Sequence, residues 1–273
     1  MNNKLNYFLI ILSLFYACQP AAQKTAEDRK ATAASNSTAN GYPSFFQEIL
    51  EAHGGLKNWN KLGLMQYQVT IDGKTETHLI DLKNRKSLIK GNSYTIGQDG
   101  VSVWVSPDKA AFPDKSARFY HNLYFYFYSI PFVLADPGGK YKQLNDLILQ
   151  VKNYHVVEVQ FGENIGDSPE DRYRLLIDPK TKQMMWLLYT VTYFGQKPGE
   201  PTFNILKYEN YREQQGLLFP QQLTGYKNEK GQVGEVRYQV YFKSLELKEQ
   251  QPNQRQFEKP EKSEIDSGTL IAD

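Results

Sequence analysis

The chain has 273 residues, a single cysteine, four histidines and almost no charge bias, with 32 Lys and Arg against 30 Asp and Glu for a formal net of +2. One thiol excludes a disulfide framework and a cysteine-ligated zinc site. Near-neutral charge without a basic block excludes the electrostatic footprint of a nucleic-acid binder. No apolar stretch is long enough to span a bilayer as a helix, and no repeat of fixed period is found. Motifs of chemistry are scarce as well. There is no Gly-x-Ser-x-Gly elbow, no glycine-rich phosphate loop, and no histidine pair spaced for a helical metal site. No cofactor and no metal is expected. Aromatic residues, in contrast, are abundant: 19 Tyr, 15 Phe and 3 Trp. With 40% hydrophobic and 23% charged residues the composition is that of a globular protein.

At the start, Lys4 precedes an apolar run from Tyr7 to Ala17 that closes on Leu14-Phe15-Tyr16-Ala17-Cys18. A small residue before a cysteine at the end of such a run resembles the bacterial lipobox. That resemblance implies a signal peptide over 1–17 and cleavage before Cys18, which then carries diacylglycerol and a further acyl chain. An ordinary secretory signal would leave Cys18 incidental. Lipidation fits better, because no other thiol exists to misoxidise outside the cytoplasm. Residues 18–41 lack large apolar side chains and read as a flexible tether. No acidic cluster follows Cys18. By resemblance to Bacteroidota-type lipoproteins, this favours a chain tethered to a membrane and facing the periplasm, from the outer membrane rather than the inner. The lipid bilayer is then its first partner. Residues 247–273, rich in Glu, Gln, Lys and Pro, read as a polar tail.

The remainder, 42–246, reads as one β-rich domain. Phe45, Phe46, Ile49 and Leu50 form a helical stripe that His53-Gly54-Gly55 ends. The period then changes to two. Met65, Tyr67, Val69 and Ile71 alternate with polar residues, and Asp72-Gly73 and Asp99-Gly100 supply hairpin turns. Further strand signals fall at 157–161, 173–177, 184–193, 203–211, 219–227 and 236–242. Between the two sets, 116–134 is crowded with Phe119, Tyr120, Tyr124, Phe125, Phe127, Tyr128 and Phe132. It is a helix buried on most sides or a very aromatic strand, and periodicity alone leaves both open. The expected fold is mainly β (α+β): an open antiparallel half-barrel of about ten or eleven strands, with one or two helices on its concave side.

A lipobox, His53-Gly54-Gly55 with Trp59, Ile130-Pro131-Phe132, Asp136-Pro137-Gly138, Ile177-Asp178-Pro179 and Gly216-Leu217-Leu218-Phe219-Pro220 together resemble an uncharacterised family of Bacteroidota envelope lipoproteins. More distantly, the layout is similar to the lipoprotein carrier LolA and receptor LolB, which implies an incomplete barrel closed by helices over an apolar cavity. No functional residue carries over from that likeness.

Catalysis finds little support. His53 beside Glu51 lacks a geometric partner, and Ser87-Leu88-Ile89-Lys90 and Ser106-Pro107-Asp108-Lys109 fall in a strand and a turn. The better candidate is the aromatic set Trp59, Phe119, Tyr120, Tyr124, Phe125, Phe127, Tyr128 and Phe132, lining an apolar cavity for a lipid or acyl chain. The competing reading is that these rings fill the barrel. The expected function is a non-catalytic lipid-binding module. An interaction module of an envelope assembly is the alternative, and an envelope hydrolase has least support.

Overall fold

The computed structural model describes residues 41–112, 116–161, 170–193 and 202–268. Cys18, the signal peptide and the tether lie outside the described residues.

The chain opens with α1 (Ser44–Ala52) and the single turn α2 (Leu56–Trp59). Five strands follow: β1 (Leu64–Ile71), β2 (Lys74–Asp81), β3 (Ser87–Lys90), β4 (Thr95–Gln98) and β5 (Val103–Ser106). Helix α3 (Ala117–Ser129) then interrupts the sheet. Next come β6 (Gly139–Leu149), β7 (Lys152–Phe161), β8 (Arg172–Ile177), β9 (Met184–Tyr189), β10 (Asn204–Gln214), β11 (Leu217–Glu229) and β12 (Gln232–Lys248), and last β13 (Glu264–Ile265). All belong to one sheet in the order β13-β5-β4-β3-β2-β1-β12-β11-β10-β9-β8-β7-β6. Every pairing is antiparallel. The fold is therefore mainly β, with an open antiparallel sheet and few helices, as expected. The strand number is thirteen rather than ten or eleven. The two added strands, β6 and β13, are the two edges of the sheet.

The alternation read in the sequence becomes a division of faces. Met65, Tyr67, Val69, Val157, Val159, Leu175, Leu187, Leu206 and Phe242 join one buried cluster with Phe46, Ile49 and Leu50 of α1 and Phe125 and Tyr128 of α3. Helix α3 touches β3, β4 and β5 on one side and β11 on the other, so the sheet curls around it. The aromatic segment is thus a helix, not a strand. Ser116 starts it by accepting from the Phe119 N–H at 3.2 Å, and Pro131 lies just past its end.

Docking of α1 depends on two glycines and a histidine. Gly54 and Gly55 take φ of +106° and +83°, and their N–H groups donate to Glu51 and Leu50 carbonyls, closing the helix in a Schellman turn. Gly54 lies flat on the β10–β11 turn, where an added Cβ would sit 1.9 Å from the Gly216 carbonyl oxygen. The fully buried His53 donates from Nδ1 to the Ile49 carbonyl at 2.8 Å. Its Nε2 accepts from the Met184 N–H at 3.4 Å. Only the neutral ring can both donate and accept in this way. Burial lowers its pKa from the usual 6.5 to about 4, against the raising effect of the Ile49 carbonyl.

The segment after β12, expected as a loose tail, is packed: it crosses the outer face of the sheet at Phe257, pairs with β5 as β13 and reaches the start of α3 at Asp266. Phe257 is fully buried there with Leu79, Leu88 and Trp104, and the Trp104 indole N–H donates to the Phe257 carbonyl at 3.0 Å. Gln254 donates to the Asp81 carboxylate at 2.7 Å. Burial pushes Asp81 up, but hydrogen bonds from Gln254, Asn84 and Lys83 outweigh it and hold the carboxyl below its usual range. Asp266 then accepts from the Ala117 and Arg118 N–H groups at 2.6 and 3.2 Å, placing a carboxylate at the positive end of α3.

Two outcomes follow for stability. Gly54→Ala, which meets both a positive φ and a backbone oxygen, costs about 3 kcal/mol or more in urea unfolding. Gly73→Ala, with positive φ but open space around it, costs about 1 kcal/mol. The His53 ring, with a folded pKa below its unfolded value, contributes fully above about pH 6.5. It loses about 3 kcal/mol as pH falls from there to about 4, and His53→Gln flattens that slope in a pH series of unfolding curves.

Candidate functional site

Helix α3 carries its long polar side chains, Arg118, His121 and Asn122, in its first turns, and its rings separate into two stripes. Phe119, Leu123, Tyr126, Phe127 and Ile130 follow the spacing of one helix face and line a cleft of about 480 Å³. The facing wall is Phe161, Tyr173, Tyr189 and Val191 from β7–β9 and the chain just after β9, and Val133 and Leu134 form the floor. Gly100 and Val101 of the β4–β5 turn stand at the rim. Edge-on ring contacts set the width. Phe127 meets Tyr189 at 4.9 Å between centroids, Phe161 meets Tyr173 at 6.4 Å, and Phe119 meets Tyr193 at 5.1 Å in a tilted contact.

The other stripe is committed to packing. Tyr128 stacks on Phe242 at 3.9 Å, and Tyr67 lies 4.9 Å away. Phe125 is 1% exposed, and the Arg85 guanidinium lies 5.5 Å from its ring centre. Tyr120 joins Ile89, Ile96 and Val103 of β3–β5 in a second cluster, and Tyr124 packs at its margin. Beyond the helix, Phe132 stacks on Trp59 at 4.9 Å. Among the proposed cavity residues, Phe119 and Phe127 therefore line the cleft. Trp59, Tyr120, Tyr124, Phe125, Tyr128 and Phe132 do not. They are held where the concave face needs filling. Leu123, Tyr126, Tyr173, Tyr189 and Val191 are cleft residues that the sequence reading missed. The helical spacing 119, 123, 126, 127, 130 was the signal that could have singled out those on α3.

Polar groups line the cleft at more than one place. Arg118, His121 and Asn122 come from the first turns of α3, and His121 is buried rather than on an exposed edge. Asp171 accepts from the Thr192 N–H at 2.7 Å, and burial raises its carboxyl above the usual range despite that bond. Asp136, also lining the cleft, pairs with Arg85 at 2.5 Å and is likewise raised by burial, against the lowering effect of the guanidinium.

A second polar group lies beneath the helix, away from the cleft. Glu76 accepts from the Tyr120 hydroxyl at 2.9 Å and from Tyr94, and pairs with His78 Nε2 at 2.8 Å. The other His78 nitrogen meets the Tyr67 hydroxyl at 3.3 Å. Burial pushes Glu76 up, but the bonds from His78, Tyr94 and Tyr120 prevail and hold its carboxyl down. Each member is used by another member, so the group ties α3 to β1, β2 and the chain before β4. The Ser-x-x-Lys pairs do not converge. Ser87 is buried while Lys90 is exposed, and the Ser106 hydroxyl donates to the Lys262 carbonyl. Among the described residues, no three His, Cys, Asp or Glu side chains gather to hold a metal ion, and no helix is long and apolar enough to cross a membrane.

Comparison with known proteins gives a family and distant structural likenesses. The sequence model of a family of unknown function, DUF6503, matches residues 66–243, and the chain belongs to that family. No curated protein matches. Among solved structures, a LolA superfamily protein from Nitrosomonas europaea is 13% identical, with 78% of this chain and 97% of that one covered at a TM-score of 0.47. A DUF1329 family protein from Desulfovibrio piger is 10% identical over 74% of this chain and 91% of that one, at 0.48. An outer membrane lipoprotein-sorting protein domain from Vibrio parahaemolyticus is 10% identical over 74% and 90%, at 0.44. None reaches a TM-score of 0.5, and the architecture stands on the sheet itself.

The two stripes of α3 differ in what they hold up. Phe125→Ala and Tyr128→Ala each cost about 3–5 kcal/mol in urea unfolding, as buried rings do. Tyr126→Ala, on a residue 40% exposed, costs about 0.5 kcal/mol or less.

Proposed function

For this member of the family we infer a non-catalytic binding module that holds an acyl chain, or a lipid through one of its chains, in the cleft beside α3. The observation that carries this reading is the cleft itself. Its volume of about 480 Å³ falls in the ordinary range for small-ligand sites, and its walls carry more aromatic and aliphatic residues than polar ones. A slender apolar ligand placed there leaves water at about 25 cal/mol per Å² of buried area, before the costs of association. Tyr and Phe rings accept a flexible chain without fixed shape matching. The polar group formed by Arg118, His121 and Asn122 is where a head group meets the protein.

The same reading places the chain at the bacterial cell envelope. Acylation of Cys18 supplies two or three chains, above the threshold for stable anchoring. The tether over 18–41 lets the β domain work in the periplasm beside the membrane, with the outer membrane preferred. A role in lipid or lipoprotein handling suits a cleft on a tethered domain.

A second reading, an interaction module without a small ligand, draws on how much of the concave face is filled. Trp59, Phe125, Tyr128 and Phe132 are buried in the core behind α3, so the cleft beside the helix is what separates the two. The test is titration of the purified chain with cis-parinaric acid, a fatty acid that becomes fluorescent in apolar surroundings. The lipid-binding reading expects saturable binding, weakened at least tenfold by Val191→Trp, which fills the cleft, with an unchanged unfolding midpoint. No binding, or equal binding to both proteins, discards it.

A further inference from the structure

The two ends of the sheet are unequal. β13 is two residues long and lies in the packed C-terminal segment. β6 runs for eleven residues and, among the described residues, pairs only with β7, so along its other side the backbone N–H and C=O groups have no strand partner among them. From Gly139 to Leu144 its register with β7 is unbroken; an irregularity follows between Leu144 and Leu147. Tyr141 anchors this stretch from the inner face, stacking on Phe46 at 4.3 Å and donating its hydroxyl to the Leu134 carbonyl at 2.7 Å.

On the outer face the same stretch is basic. Lys140 lies across from Gln160 and Lys142 across from Glu158, and on the next strand Arg172 and Arg174 continue the two rows. Both arginines donate to one oxygen of the buried Glu158, at 2.7 Å each. Two arginines thus share one carboxylate, and Lys140 and Lys142, exposed at the very edge, add two further positive charges to the same rows. The row then turns apolar, as Leu144 joins the outer-face cluster of Tyr154, Val156 and Trp186.

An anchored, straight, unpaired edge with two outward lysines is suited to one kind of partner. A second copy of β6 would set lysine near lysine, which disfavours self-pairing. An extended segment with carboxylates at alternate positions would complete the backbone ladder and meet the surplus charge in the same act. We propose that β6, over Gly139–Leu144, is a docking edge for an acidic strand of another protein, which adds to the sheet as a fourteenth strand.

The probe is a labelled synthetic heptapeptide alternating Glu with Val and Thr, offered to the full chain at low and high salt with fluorescence anisotropy as the readout. The expected result is binding that weakens at least tenfold in the Lys140→Glu/Lys142→Glu variant and at high salt. It should also be lost when alternate backbone amides of the peptide are N-methylated, in at least one of the two phases of alternation. Both substituted side chains are exposed, so the circular dichroism of the variant stays that of the parent. Three results overturn the proposal: no binding, in which case the lysines merely guard the edge; binding indifferent to N-methylation in both phases, which is charge attraction without strand addition; and capture of the chain by phosphatidylglycerol vesicles with no binding of the peptide, which makes the patch a membrane-facing one.

Discussion

A sheet with thirteen antiparallel strands among the described residues and a concave face lined by its main apolar cluster has to cover that face with its own chain, and the organisation of this molecule follows from how it does so. Two helices are available. α1 is short and is brought down on β9–β11 by a contact so close that only glycine fits at 54, with a neutral histidine beside it linking a helix carbonyl to a strand amide. α3 lies across the middle, and the sheet wraps it from β3 round to β11. Its first turn is held from the opposite end of the chain, where Asp266 meets the helix N-terminus and the strap behind it is fixed by Phe257 on Trp104.

That arrangement explains the amino-acid usage of α3. A helix inside a curled sheet needs apolar residues on several sides, so the spacing of its rings reflects two different neighbours. Toward β1, β11 and β12 the rings pack on Tyr67, Phe219 and Phe242. Toward β7–β9 the rings meet at separate points, Phe127 on Tyr189 and Phe119 on Tyr193, and the cleft lies among them. The cleft is therefore the place where covering the concave face is left incomplete. A chain-shaped apolar ligand would finish the task that the helix does not.

Much of this was legible in the sequence. Alternation over Met65–Ile71 and Val157–Phe161, the Asp-Gly turns and the His53-Gly54-Gly55 stop each have a local cause, and each marks what it was expected to mark. What was missed had no local cause. β6 and β13 are the two edge strands, β13 is only two residues long, and neither carries a run of alternating apolar residues. Gly139–Leu149 also sets its apolar residues Tyr141, Leu144 and Leu147 three apart rather than two, with the register breaking between Leu144 and Leu147. The C-terminal strap reads as solvated because its one decisive apolar residue, Phe257, is isolated in sequence and finds Trp104 only in space. Within α3 the eye is drawn to the density of rings rather than to their phase. Phase is what assigns Phe119 and Phe127 to the cleft and Phe125 and Tyr128 to the core.

The most direct measurement of the central claim, that the gap beside α3 is a seat for an acyl chain, is photo-crosslinking with a fatty acid carrying a diazirine near its methyl end, followed by peptide mass spectrometry. The account predicts adducts concentrated on Phe119–Ile130 of α3 and on the facing residues Tyr189–Tyr193, suppressed by excess unlabelled fatty acid. Adducts scattered over the outer face of the sheet, or none that competitor suppresses, would contradict it.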